Sequence, residues 1–133
     1  LISEFIQSCL DAEHFFEAFD SGLSALQIDE WLAGAVATYQ SGSATTARIF
    51  FEQIRRSKGM SLEEMFQMEL VIAYQCIRHP DFPEGVRALL VDKDKNPAWV
   101  YPSASGVPEE YLNEHFEPVW EGIHPLGELG KNG

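Results

Sequence analysis

Apolar residues recur at intervals of three and four along most of the chain, a spacing that predicts helices and leaves almost no strand signal. Ile2 to Cys9 reads as a short helix, and Asp11 is placed to cap a second. There Phe15, Phe16 and Phe19 form the apolar side, Glu13, Glu17 and Asp20 fall between them, and Gly22 stops the helix. A third helix is expected from near Leu26 to Gln40, with Trp31, Leu32, Ala35 and Val36 facing inward and Gly42 beyond its end. Ser43 opens a fourth, in which Ala47, Phe50, Phe51 and Ile54 make the buried stripe and Arg48, Arg55 and Arg56 point to water.

Residues 59–99 form the best-specified corner. Gly59 suits the end of the preceding helix, because glycine takes positive φ without a Cβ clash. Ser61-Leu-Glu-Glu64 is a capping box, in which the Ser61 hydroxyl accepts the Glu64 amide proton and Glu64 reaches back. From Leu62 the apolar positions Met65, Phe66, Ile72, Ala73, Cys76 and Ile77 share one helical face. Pro80 ends that helix, since the residue before a proline is pushed out of the α region. Asp81-Phe-Pro-Glu84 then opens the next, with Asp81 as cap and Glu84 completing the box. Ala88 to Val91 either continues this helix or extends for a few residues.

Lys93 to Gly106, with Pro97 and Pro102, reads as a loop. Pro108 opens a last helix, with Glu109 and Glu110 favourable to its macrodipole, and Tyr111, Leu112 and Phe116 buried, Trp120 being a further candidate. The fold class is therefore all-α, with about six to seven helices. An α-helical domain is expected over residues 1–121 and a flexible tail over 122–133, where glycines gather.

Charge narrows the function. The net charge of −12 opposes binding to nucleic acid or to an anionic membrane surface. Residues 1–47 hold no Lys or Arg, and every basic residue except Lys131 lies between Arg48 and Lys95. An anionic ligand must therefore be met by that second stretch. No apolar run approaches the ~20 residues of a membrane span, and no signal-peptide pattern occurs. The chain opens on Leu1 within an apolar segment, and a fragment or processed product is expected. Cys9 and Cys76 sit on apolar helical faces and read as two free thiols in a reducing compartment. His14, His79, His115 and His124 share no metal-ligand spacing, so no metal site is expected. No nucleophile elbow, phosphate loop or dinucleotide fingerprint is present.

One carboxylate stands out. Glu69 falls in the middle of the apolar stripe of its helix, where an unpaired charge would cost several kcal/mol. A structural ion pair with Arg87 is the expected answer, with Arg48 as second partner, and a catalytic acid is the alternative.

The run Ser61-Leu-Glu-Glu64, Met68-Glu69, Asp81-Phe82-x-Glu84-Gly85-Val86-Arg87-Ala88, Asp92-Lys93-Asp94 and Pro97-x-Trp99 resembles the C-terminal part of the 3-hydroxyisobutyryl-CoA hydrolase group. That group belongs to the crotonase (enoyl-CoA hydratase/isomerase) superfamily. The likeness covers residues 43–117, with Ala44 standing where the group usually has proline, and Pro108 to Phe116 resembles its closing helix.

The resemblance implies the helical C-terminal portion of a hydrolase of short 3-hydroxyacyl-coenzyme A thioesters in valine breakdown. The catalytic machinery then lies in an N-terminal crotonase core outside this chain, and the chain is inactive alone. It implies Lys93 and Lys95 as coenzyme A contacts, against the plain reading of solvated loop lysines, because Leu89 replaces an aromatic residue and the lysine is displaced by one position. No separate cofactor is implied, coenzyme A being part of the substrate. The implied partners are that core, the acyl-CoA and further copies of the same subunit. The implied compartment is the cytoplasm, or the mitochondrial matrix in a eukaryote. Two alternatives stay open: the C-terminal domain of an enoyl-CoA hydratase or isomerase, and a free-standing acidic helical adaptor for a protein partner.

Overall fold

The computed structural model describes residues 2–26 and 30–130. Among these the chain forms seven α-helices and no strand. They are α1 (Ile2–Leu10), α2 (Phe15–Gly22), α3 (Glu30–Ser41), α4 (Ala44–Ser57), α5 (Leu62–Arg78), α6 (Asp81–Val86) and α7 (Glu109–Glu114). Short 3₁₀ turns follow α2 (Leu23–Leu26) and precede α7 (Ala104–Gly106). The all-α expectation holds. The expected start of the third helix runs into residues 27–29, which lie outside the described residues, as does Lys131.

The predicted caps order the middle of the chain. Ser61 Oγ accepts the Glu64 N–H at 3.2 Å while the Ser61 N–H donates to the Glu64 carboxylate at 2.7 Å, so both halves of the box form. Gly59 precedes it at φ 84°. Ser43 caps α4 by accepting the Thr46 N–H at 3.1 Å.

Two small cores result. Leu23, Leu26 and Val36 pack with Phe5, Phe19 and Tyr39 under α1–α3. Ala44, Ile49, Ile72, Val107 and Leu112 pack with Met68, Cys76, Tyr101, Tyr111 and Phe116 between α4, α5 and α7. Cys9 is buried, Cys76 half-buried, and both thiols are free. Beyond α7 the chain returns along α5. Gln67 donates to the Leu126 carbonyl at 3.0 Å, and the Trp120 ring meets Tyr74 and His124 edge-on.

Several faces differ from those the spacing predicts. α3 turns Leu32 and Val36 inward and leaves Trp31 74% exposed. On α4 the buried positions are Ala44, Thr45, Ile49 and Glu52, while Phe50 and Ile54 are exposed. Charge chemistry selects that face. Arg48 is largely covered, stacked over the Phe16 ring at 4.8 Å and paired with Glu109. Glu52 accepts from Arg55 at 2.6 and 2.7 Å and from Arg56 at 2.6 Å. Arg56 also lies over the Phe116 ring at 4.1 Å. A guanidinium stacked on an aromatic face and bonded to a carboxylate is buried more easily than a lysine would be.

The same shift applies to α5. Val71, Ile72 and Gln75 are its buried residues, and Leu62, Phe66 and Ile77 are exposed. Glu69 is therefore not a buried charge. It is exposed and accepts from Gln53 Nε2 at 3.1 Å. The expected Glu69–Arg87 ion pair does not form, nor does a Glu69–Arg48 pair, because both arginines bond other carboxylates.

Asp81 also departs from its expected role. It lies inside α6 and caps nothing; the preceding Pro80 takes the cap position. Its buried carboxylate accepts the Ser43 hydroxyl at 2.6 Å and the Val100 N–H at 2.9 Å. Asp81→Ala strands both donors and is expected to lower unfolding free energy by about 2–3 kcal/mol, whereas Glu69→Gln changes it by no more than about 0.5 kcal/mol. Chemical denaturation of the two variants checks this contrast.

Candidate functional site

The site builds outward from α6. After Val86 the helix widens into a π turn over Arg87–Val91, closed by the Asp92 N–H donating to the Arg87 carbonyl at 2.8 Å. This settles the 88–91 segment as helical rather than extended. The wider turn leaves Leu89, Leu90 and Val91 exposed together, and such turns recur at functional sites.

Arg87 organises the loop beyond this turn. It bonds Glu84 through Nε at 2.9 Å and Nη2 at 2.7 Å, and Asp92 and Asp94 through Nη1 at 2.6 and 2.7 Å. Its Nη2 also donates to the Asn96 carbonyl at 3.2 Å. Glu84 further accepts the Ala98 N–H at 2.7 Å, and with Arg87 as the main cause its carboxyl is held down at about 2. Asp94 is likewise held below the usual carboxylate range, chiefly by Arg87. Lys93 and Lys95 lie between these anchored residues, both exposed, at φ 58° and 55°.

Beside this loop runs an apolar trough. A hollow of about 350 Å³ is lined by Ile49, Cys76, Phe82, Val86, Leu89 and Leu90, with Trp99 at its edge. Through Ser43, Thr46 and Trp99 it joins a second hollow of about 590 Å³ that reaches Phe50, Phe51 and Ile54. Trp99 is fixed by donating its Nε1–H to the Ser41 carbonyl at 2.9 Å. It leans so closely on Gly85 that a Cβ there would sit 3.2 Å from the ring.

The floor of the first hollow is polar. The His79 and His115 rings lie 3.9 Å apart between centroids, with Tyr111 edge-on to both. His79 donates Nδ1–H to the Gln75 carbonyl at 2.8 Å and sets Nε2 3.1 Å from the Glu114 carboxylate. His115 is buried and donates Nδ1–H to the Tyr111 carbonyl at 2.9 Å. Burial lowers the His115 pKa and raises that of the Cys76 thiol, so neither charges easily. Among the described residues no group of three or more His, Cys, Asp or Glu could hold a metal ion. Among them, too, no helix is long and apolar enough to cross a membrane.

A family model described as enoyl-CoA hydratase/isomerase matches residues 2–116. The chain belongs to the enoyl-CoA hydratase/isomerase family, the crotonases. Its similar relatives include the protein named mitochondrial 3-hydroxyisobutyryl-CoA hydrolase in Dictyostelium discoideum, 40% identical over 73% of this chain and 26% of that one. The protein so named in Danio rerio is 36% identical over 86% of this chain and 35% of its own length. The one in Homo sapiens is 40% identical over 58% and 20% respectively. This crotonase chain thus spans a third or less of the lengths of most of the curated relatives it matches.

Of the residues singled out from the sequence, Lys93 and Lys95 lie in the loop that Arg87 holds from the π turn through Asp92 and Asp94, and Glu69 stands apart on α5. The bonds of Asp81 and the burial of His115 were missed. The helical spacing of Leu112 and His115 already carried the second signal.

Two pH windows result. His115 has a folded pKa below its ordinary 6.5, so its contribution is complete above that value and is lost as pH falls beneath it. Glu52, held at about 2 chiefly by its bond from Arg55, contributes fully above 4.5 and fails only as pH falls towards 2. Thermal melts across pH are expected to show two separate declines, and His115→Gln should remove the upper one while leaving the lower.

Proposed function

We propose that this chain is the helical portion of an acyl-CoA thioester hydrolase of the 3-hydroxyisobutyryl-CoA type, acting in valine breakdown, and that it works by closing over a catalytic core supplied by further sequence. Hydrolysis adds water across the thioester and releases the acid and the coenzyme A thiol. In such a reaction preorganised donors stabilise the charge developing on the thioester oxygen. We assign that chemistry to the core and a covering role to these helices.

The observation that carries the reading is the uncovered apolar trough. Phe50, Ile54, Phe82, Leu89 and Leu90 are each more than half exposed along one connected surface. An apolar surface of this extent marks an interaction site. Relatives about three to four times the length of the matched segment offer the partner: more of the same polypeptide. Lys93 and Lys95, exposed in the loop that follows Leu89 and Leu90, are proposed to face the coenzyme A nucleotide, since an ammonium pairs well with phosphate. The family description also covers hydratases and isomerases, which make the second reading.

The test is thiol release by the full-length protein over a panel of acyl-CoA thioesters. Cleavage of a short 3-hydroxyacyl-CoA, with no hydration of enoyl-CoA, is expected. The 133-residue chain alone is expected to cleave nothing and to self-associate in light scattering, and Phe50→Glu with Leu90→Glu should return it to a monomer. Turnover by the isolated chain would sink the covering role.

A further inference from the structure

We propose that Arg87 is a positioning residue, one that shapes the 92–96 loop so that Lys93 and Lys95 present two ammonium groups to a single phosphate-bearing ligand. The inference rests on the coenzyme A reading above and names the device that serves it.

A guanidinium carries five N–H donors in a fixed fork. In Arg87 all five are used: two on Glu84, one each on Asp92 and Asp94, and one on the Asn96 carbonyl. Three therefore reach the loop, at every second residue. The residues between them, Lys93 and Lys95, are left facing solvent and both hold left-handed backbone, at φ 58° and 55°. Side-chain-bearing residues other than Asn and Asp rarely adopt that region, and two in alternation persist only where the surroundings enforce them. Further bonds complete the enforcement: the Lys95 N–H donates to the Ala88 carbonyl at 3.0 Å, and the Asn96 N–H to Asp94 at 2.9 Å.

The arrangement also answers the charge problem posed by the sequence. The two aspartates that flank Lys93 would mask an ammonium if they pointed outward with it. Both carboxylates are instead bonded to Arg87, and neither lysine has a carboxylate partner among the described residues. In a chain of net charge −12 this is a local reserve of unpaired positive charge. Residues two apart place their Cα atoms within about 7 Å, close enough for both ammoniums to bracket one phosphate.

The experiment compares an acyl-CoA with the same acyl group on pantetheine, which carries no phosphate, as substrates of the full-length protein. K93M/K95M is expected to raise KM for the acyl-CoA about tenfold, with kcat and the acyl-pantetheine KM unchanged. Arg87→Met should reproduce that pattern and add almost nothing when combined with K93M/K95M, and Arg87→Lys, which keeps the charge without the fork, should not rescue it. D92N/D94N weakens the clamp while preserving its shape, and decides the matter if Arg87→Met does not fold: a selective rise in acyl-CoA KM supports the proposal. Equal effects of Arg87→Met on both substrates would mean a merely structural arginine and overturn it. An unchanged KM in K93M/K95M, with wild-type turnover intact, overturns it and leaves the hydrolase reading standing. A wild type inert to every acyl-CoA removes both.

Discussion

The Asp81 carboxylate accepts one bond from the Ser43 hydroxyl and one from the Val100 N–H, and that pair ties the far end of the loop that Arg87 organises back to α4 and α6. Ser43 is itself the cap of α4, so one short chain of bonds links the start of α4, the first turn of α6 and the far end of the loop. Because the carboxylate is buried, the two bonds that it accepts are poorly replaced by water. Trp99, seated between Gly85 and the end of α3 by its own bond to the Ser41 carbonyl, is flanked by two anchored residues, Ala98 on Glu84 and Val100 on Asp81.

Above that anchor, the acidic character of the chain is put to structural use. Glu52, Glu84, Asp92 and Asp94 are gathered around three arginines, and the loop is wound on one of these. Arginine rather than lysine stands at each hub, as expected where planar, multiply bonded contacts are required. Lysine stands at the two positions that the winding turns outward. The apolar trough beside them lies open for the complementary reason: nothing within these helices covers Leu89, Leu90 or Phe50.

What the sequence made legible was local. The Ser61–Glu64 box, Gly59, Ser43 and Pro80 depend on neighbours within four residues, and all sit where their chemistry predicts. The family string around Asp81 to Trp99 was equally plain. The choice of face was not. Periodicity fixes that α4 and α5 have an apolar side, but it cannot tell a side buried in this chain from one kept for a partner. Phe50, Ile54, Leu62, Phe66 and Ile77 obey the spacing and are nevertheless exposed. Glu69 looked anomalous only because it shares their face. Asp81 and Arg87 were misread for another reason: a carboxylate next to a proline imitates a cap, and contacts to Ser43 and Val100 cross 38 and 19 residues of sequence.

The π turn at the end of α6 has a consequence of its own. Its closing bond encloses one residue more than an α turn does, and each residue of helix turns the chain by about 100°. The widened turn absorbs that extra residue, so deleting one residue from Arg87–Val91 would restore ordinary winding and leave the chain beyond it facing nearly as before. What such a deletion would lose is the exposed ridge of Leu89 and Leu90 along the rim of the trough. The extra residue therefore shapes the apolar rim rather than the direction of the chain.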